Sequence, residues 1–212
     1  MQKGTTLTLA DPHQHLRLPL LLKVALLFVL LTASTFIFAN ENSDETTSVT
    51  SDGFNIDNLA TRLVDNVFMV DVEQNFEFND TVVEALDNGV PITLETQFLV
   101  YTESWYSTNT ILELNQRYII NYHALSQQYI LTNLNTEKQS SYLSLHKVIG
   151  ALKKIKDLPL VDKNLLPKDE ELYIRVRNRL DISALPLPLR ATAYFSASWR
   201  LKSDWATWIL KE

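Results

Sequence analysis

The chain has no cysteine among its 212 residues, which excludes a disulfide framework, thiolate catalysis and cysteine-ligated metal centres. Glycine is nearly as scarce: of four, only Gly53, Gly89 and Gly150 lie beyond the N-terminal segment. No glycine-rich phosphate loop can be built from them, and no G-x-S-x-G nucleophile turn occurs. Basic residues are outnumbered by acidic ones, 19 to 25. Removing residues 1–39, with Lys3, Arg17, Lys23 and Asp11, leaves about −8. A net-acidic domain is a poor nucleic-acid binder, because affinity for phosphates comes from clustered Lys and Arg. Histidine is rare too. His13 and His15 fall near the N-terminus, and His123 and His146 have no carboxylate nearby in sequence, so no zinc or iron ligand set is legible.

The most informative feature present is the apolar run Leu18–Ala39. Lys3 and Arg17 precede it, Lys23 interrupts it, and no charge occurs from Val24 to Ala39. This is the positive-inside pattern of a secretory signal or an N-terminal anchor. The uncharged core is 16 residues, short of the roughly 20 that span a bilayer. Counting from Leu18, with Lys23 snorkelling, gives a sufficient 22. Ile37 occupies the place where cleavage before Asn40 wants a small residue, so a retained anchor is favoured over a cleaved signal. Asn40–Asp52 follows with one apolar residue, Val49, in 13, and reads as a disordered acidic tether. The expected organisation is a cytoplasmic tail at 1–17, a membrane segment at 18–39, a linker at 40–53 and one exported domain at 54–212. That domain is large enough to stand on its core without disulfides.

Within it the two-residue period of strands dominates. Phe68, Val70, Val72, Phe76 and Phe78 alternate with polar residues, and Asp65-Asn66 suits a hairpin turn from a strand near Leu59–Val64, although Ile56, Leu59, Ala60 and Leu63 also fit a short helix. Thr81 and Glu84 match a capping box that opens a short helix ended by Gly89 and Pro91. Strands are expected over Ile92–Tyr101, Glu113–His123 and Gln127–Leu134, with a polar loop at Glu103–Thr110. Ser144 opens a second helix carrying Leu145, Val148, Ile149, Leu152 and Ile155 at helical spacing. Glu171–Leu180 is the cleanest late strand, with Leu172, Ile174, Val176 and Leu180 inward and Tyr173, Arg175, Arg177 and Arg179 outward. The alternate prolines of LPLPLR, residues 185–190, predict extended backbone protecting a sheet edge. Ala191–Ser198 and Trp199–Leu210 are expected to finish the domain as strands or strand plus tail. The fold class is mainly β: an antiparallel β-sandwich or strongly curved sheet with two short helices, preceded by one membrane helix.

Four segments carry a resemblance: FEFNDTVVEALDNGVPITLETQFLVY, YIINYHALSQQYILTNLNT, SYLSLHKVIGALKKIKDLPL and ALPLPLRATAYFSASWRLKSDWATW. In this order they resemble the bacterial exported proteins grouped as domain of unknown function family 4390, over about residues 54–210. The resemblance implies an envelope protein with an N-terminal membrane segment and implies no enzyme activity. The inner membrane, single-pass with the C-terminal domain in the periplasm, is the expected location, a cleaved soluble periplasmic form the alternative. The loop Trp105–Asn109 departs from the family pattern in being polar where more aromatics are expected.

Candidates for chemistry are sparse. His123 with Ser126, three residues on, points to a hydrolytic site only if a turn joins them and a distant acid such as Asp181 orients the base. Asp80 and Glu84 suit a helix N-terminus, and Asp169, Glu170 and Glu171 suit pairing with the arginine strand. No cofactor is implied. The surface features are more informative. Arg175, Arg177 and Arg179 form a basic row able to bind a carboxylate or phosphate bidentately, or to pair across the sheet with local acids. Trp199, Trp205 and Trp208 crowd the C-terminus and suit either an interface or burial. Arg175, Arg177, Arg179, Trp205 and Trp208 are therefore the candidate partner-binding residues. The expected partner is an envelope or inner-membrane protein, or anionic lipid. A non-enzymatic, membrane-tethered binding domain is the favoured function, and an envelope hydrolase built around His123 the alternative.

Overall fold

The computed structural model describes residues 53–168 and 170–211. The expected membrane helix, the linker to Asp52, and Asp169 lie outside the described residues. Among those residues no helix is long and apolar enough to cross a membrane.

The described chain runs β1 (Phe54–Val64), β2 (Val67–Phe76), α1 (Asp80–Asp87), β3 (Ile92–Ser104), β4 (Ser107–His123), β5 (Gln128–Asn133), β6 (Gln139–Tyr142), α2 (Leu145–Leu152), β7 (Lys154–Asp162), β8 (Leu172–Leu180), α3 (Leu187–Phe195) and β9 (Ala206–Ile209). Every ladder is antiparallel. β1-β2-β7 form one sheet and β6-β5-β4-β3-β8-β9 the other, neither closing into a barrel. Both edges of the larger sheet are four-residue strands and the edge strand β7 carries Pro159, so unpaired backbone is kept short or blunted there, whereas the edge strand β1 runs eleven residues.

The mainly β expectation therefore holds, with three α-helices among the described residues where two were expected. Asp65 and Asn66 both take positive φ, 46° and 69°, making the tight turn that pairs Val64 with Val67. That turn settles Ile56–Val64 as strand rather than helix, since pairing with β2 satisfies its backbone. Where a polar loop was expected at Glu103–Thr110, the β3–β4 ladder continues to Ser104↔Ser107 and only Trp105 and Tyr106 make the turn. Serines and threonines pair there as readily as they loop.

Helix boundaries shift for similar reasons. The cap of α1 is Asn79, whose Oδ1 accepts from the Val82 amide at 3.1 Å, while the expected cap Thr81 lies inside the helix. Ser144 caps α2 as expected, its Oγ accepting from the Lys147 amide at 3.4 Å. Ile155 continues the apolar period of α2 but belongs to β7, because the chain leaves the helix to pair with Val72 on β2. The LPLPLR segment is the clearest correction. It starts α3 instead of running extended: Pro186 is the N-cap and Pro188 sits in the first turn, where a missing amide hydrogen costs nothing. The expected strand Ala191–Ser198 is accordingly the rest of α3 and a 3-10 turn at Ala197–Trp199.

Inward positions of β2 and β8 are apolar except at one level. There Gln116, Thr96 and Asn178 stand side by side on β4, β3 and β8, and Gln74 faces them from β2, all four buried. Thr96 Oγ1 donates to Gln74 Oε1 at 3.3 Å, and Gln74 Nε2 donates to the Leu152 carbonyl at 2.9 Å. On one side of this belt, Phe54, Phe76, Leu86, Leu94, Leu152, Ala193 and Trp199 form a core reached by all three helices. On the other, Val70 and Val72 of the small sheet share a core with Phe98, Val100, Ile174 and Val176 of the large one. A one-residue slip of any belt strand would put a polar group into hydrocarbon, so the belt specifies register as well as stability.

Candidate functional site

Alternation along β8 turns Tyr173, Arg175, Arg177 and Arg179 to the outer face of the large sheet, opposite Tyr101, Leu99, Gln97 and Glu95 on β3. The three guanidinium groups then meet three different environments. Arg179 is neutralised: its Nε donates to Glu95 Oε2 at 2.8 Å, and that carboxylate is itself buried. Arg177 finds a neutral partner, its Nε donating to Gln97 Oε1 at 3.1 Å. Arg175 lies over the Tyr101 ring, 5.1 Å from its centroid, and its buried Nε has no hydrogen-bond acceptor.

The segment before β9 completes the surface. Ala206 pairs with Val176, which brings Trp205 beside the row, and both exposed-side arginines stack on its indole. The Arg177 guanidinium lies 4.3 Å from the ring centroid and that of Arg175 lies 4.8 Å away. Tyr101 and Tyr173 stack at 5.5 Å and extend the aromatic floor. Burial pushes the Arg177 pKa down, the neighbouring charges of Arg179 and Arg175 push the same way, and Glu95 opposes them. Neither Arg175 nor Arg177 forms a salt bridge with a described carboxylate. Two cations held by an indole but without a carboxylate in salt-bridge contact are poised to accept an external carboxylate or phosphate.

The structure thus brings Arg175, Arg177 and Trp205 together and sets the other two candidates apart. Arg179 is spent on Glu95. Trp208 pairs with Ile174 on the inward side of β9 and packs against the core instead of the arginine face. Trp199 is buried. Of the acids before β8, Glu171 accepts from the Tyr173 hydroxyl at 2.7 Å instead of pairing with an arginine, and Asp169 lies outside the described residues. Sequence alone left out Gln97 and Tyr101, because their role depends on the β3–β8 register. The convergence of Trp205 with the row depends likewise on the β8–β9 register.

The other candidate chemistry stays local. A turn does join His123 Nδ1 to Ser126 Oγ at 3.0 Å, on the exposed end of β4. Asp181 is engaged elsewhere, accepting from Arg117 at 2.8 Å and from the Ser183 amide at 3.0 Å. Arg117 and His123 lie on one strand about 20 Å apart at ~3.3 Å per residue, so the acid does not meet the histidine. Burial raises the Asp181 pKa, but hydrogen bonds from Ser183 and Arg117 with the arginine charge outweigh it and hold the carboxyl below its ordinary value. Among the described residues no cluster of three His, Asp or Glu side chains could hold a metal ion. A cleft of about 740 Å3 opens between Asn66, Leu166 and Leu210 and includes none of the arginine row.

The fold and this surface define an all-antiparallel β domain with an arginine–aromatic face and no assembled acid–base–nucleophile trio among the candidates. Residues 51–209 match the family described as Domain of unknown function (DUF4390), and the chain belongs to that family. No curated protein and no solved structure matches it.

Proposed function

We propose that the chain is a non-enzymatic, membrane-tethered domain of the bacterial envelope. It is held at the inner membrane through residues 18–39 with its β domain in the periplasm, and it binds an acidic group of a partner protein at Arg175, Arg177 and Trp205. The observation that carries this reading is the sharing of one indole by two guanidiniums without a carboxylate, on a domain whose overall charge is negative. Such a site gains a counter-charge when an anion docks, and the flat, preformed aromatic floor costs little entropy to use. The overall negative charge disfavours non-specific attraction of anions, so binding is confined to this face.

The test is photo-crosslinking in cells from position 207, since Thr207 is exposed and pairs with Arg175. The expected result is one discrete protein adduct in the membrane fraction, lost in the Arg175→Glu, Arg177→Glu double variant. Adducts to lipid alone, or a protein adduct indifferent to the charge reversal, would overturn the proposal.

A further inference from the structure

Helix α3 buries one side and leaves an apolar stripe on the other. Leu189 and Ala193 face the core, whereas Leu187, Ala191, Tyr194 and Phe195 lie outward at the i, i+4, i+7, i+8 spacing of one helix face. The exposure is large: 75% for Leu187, 51% for Tyr194 and 90% for Phe195. A surface helix ordinarily shows polar residues there, and contiguous exposed apolar side chains mark a contact surface.

What covers the stripe follows from where the chain emerges. The Gly53 carbonyl accepts from the Glu77 amide, and Gly53 adjoins Leu201. Asn79 Nδ2 donates to the Ser198 carbonyl at 2.8 Å, three residues past Phe195. The C-terminal end of α3 and the start of the domain therefore occupy the same end of the fold. The exposed Leu125 and Leu143 share that end, because β4 and β6 run toward it in parallel, paired through β5. Thirteen residues separate Ala39 from Gly53. Were those residues the tether proposed above, a chain of that length would reach about 20 Å on average at ~5–6 Å × √n. The other exposed aromatic pair, Trp105 and Tyr106, sits at the far tip of the thirteen-residue strand β3, about 40 Å away at ~3.3 Å per residue. Arg190 adjoins the stripe on the helix; its guanidinium donates to the Leu185 carbonyl at 3.0 Å and has no described carboxylate partner, so its charge is left for anionic headgroups.

We infer that the outer face of α3, centred on Leu187, Tyr194 and Phe195, rests on the lipid bilayer surface and holds the domain in one orientation over the membrane. The inference rests on the proposed membrane tether. Docking this end turns the Trp105–Tyr106 tip away from the bilayer and leaves the arginine–tryptophan face on the flank, open to a partner.

The absence of cysteine makes the test clean. Single variants of the full chain, Leu187→Cys, Phe195→Cys, Tyr106→Cys and Leu165→Cys, carry an environment-sensitive fluorophore in vesicles of phosphatidylethanolamine and phosphatidylglycerol containing nitroxide lipid. The expected result is severalfold stronger quenching at 187 and 195 than at 106 and 165. Retention on vesicles through alkaline carbonate reads the tether separately. A retained chain quenched equally at all four sites, or most at 106, would overturn the docking and leave the tether standing. A chain that neither remains on the vesicles nor is quenched would overturn both. Disulfide-linked dimers of the Phe195→Cys chain without lipid quenching would assign the stripe to a second copy and likewise overturn the inference.

Discussion

Replacing Gln74 by leucine tests whether the buried polar belt holds the two sheets in register. The side chain is fully buried, donates to the Leu152 carbonyl at 2.9 Å and accepts from Thr96 Oγ1 at 3.3 Å. Leucine fills nearly the same volume, so the cost is two groups left unpaired rather than a cavity. A buried group stripped of its partner costs about 1–3 kcal/mol, the longer Thr96 bond lying at the low end. The better transfer of leucine offsets about 1 kcal/mol, leaving a net loss of about 1–3 kcal/mol. For a domain of this size that corresponds to a fall in Tm of about 2–12 °C. Thr96→Val alone strands Gln74 Oε1 and costs about 1 kcal/mol. In the double variant the Thr96–Gln74 pair is gone from both sides and only the Leu152 carbonyl remains unpaired. Its cost should therefore fall below the sum of the singles by more than about 0.5 kcal/mol, the margin for independent sites. Urea unfolding followed by tryptophan fluorescence measures all four corners of the cycle. An additive cycle, or a Gln74→Leu chain as stable as the parent, would refute the belt as a coupled unit.

Two further outcomes follow from ionisation. Asp181 has a carboxyl held below its ordinary range, so its stabilisation is present above the unfolded value near pH 4 and is lost as pH falls through the lowered folded value. Arg117→Met should cost about 1–2 kcal/mol at neutral pH, discounted because the arginine is partly exposed, and the cost should shrink below about pH 4; a loss that does not vary with pH would sink the pairing argument. Tyr129 is pushed up to about 12 by burial and by its hydroxyl donating to Asp87 at 2.6 Å. A raised phenol stabilises the fold fully below the unfolded value near pH 10 and loses that contribution as pH rises toward 12. Asp87→Asn should bring one tyrosine's phenolate absorbance to lower pH, part of the way to its usual range because burial remains, and an unchanged titration would remove Asp87 as a cause.

Legibility in this chain followed the range of the interaction that decides each element. Strands with one wet face, such as β2 and β8, show their period in neighbouring residues, and the Asp65-Asn66 turn and the Ser144 cap are chosen by residues adjacent to them. The failures came where the decision lies elsewhere. Ile155 keeps the helical period of α2, yet the chain pairs with Val72, more than eighty residues earlier. Ser107–Thr110 reads as loop until Glu103 and Thr102 lie opposite. LPLPLR reads as extended until Pro186 and Pro188 are seen to occupy the one stretch of a helix that tolerates them. The candidate surface divides in the same way. Arg175, Arg177, Arg179 and Trp205 were legible as residue types at a spacing. Which arginines lack a carboxylate partner was not, since Glu95 answers Arg179 alone, from another strand, and Arg177 meets only the neutral Gln97.

The sequence by itself determined the class: a cysteine-free, acidic, mainly β domain behind an apolar segment, with an outward arginine strand and tryptophans near its end. These are properties of composition and of periods two to four residues long, and they survive any arrangement of the strands. Tertiary structure alone decided the belt that joins Gln74 to Thr96, the indole shared by Arg175 and Arg177, and the apolar stripe left uncovered on α3. Each depends on which residues from distant parts of the chain stand opposite one another. That choice is made by the register of nine strands, through the burial of side chains far apart in sequence.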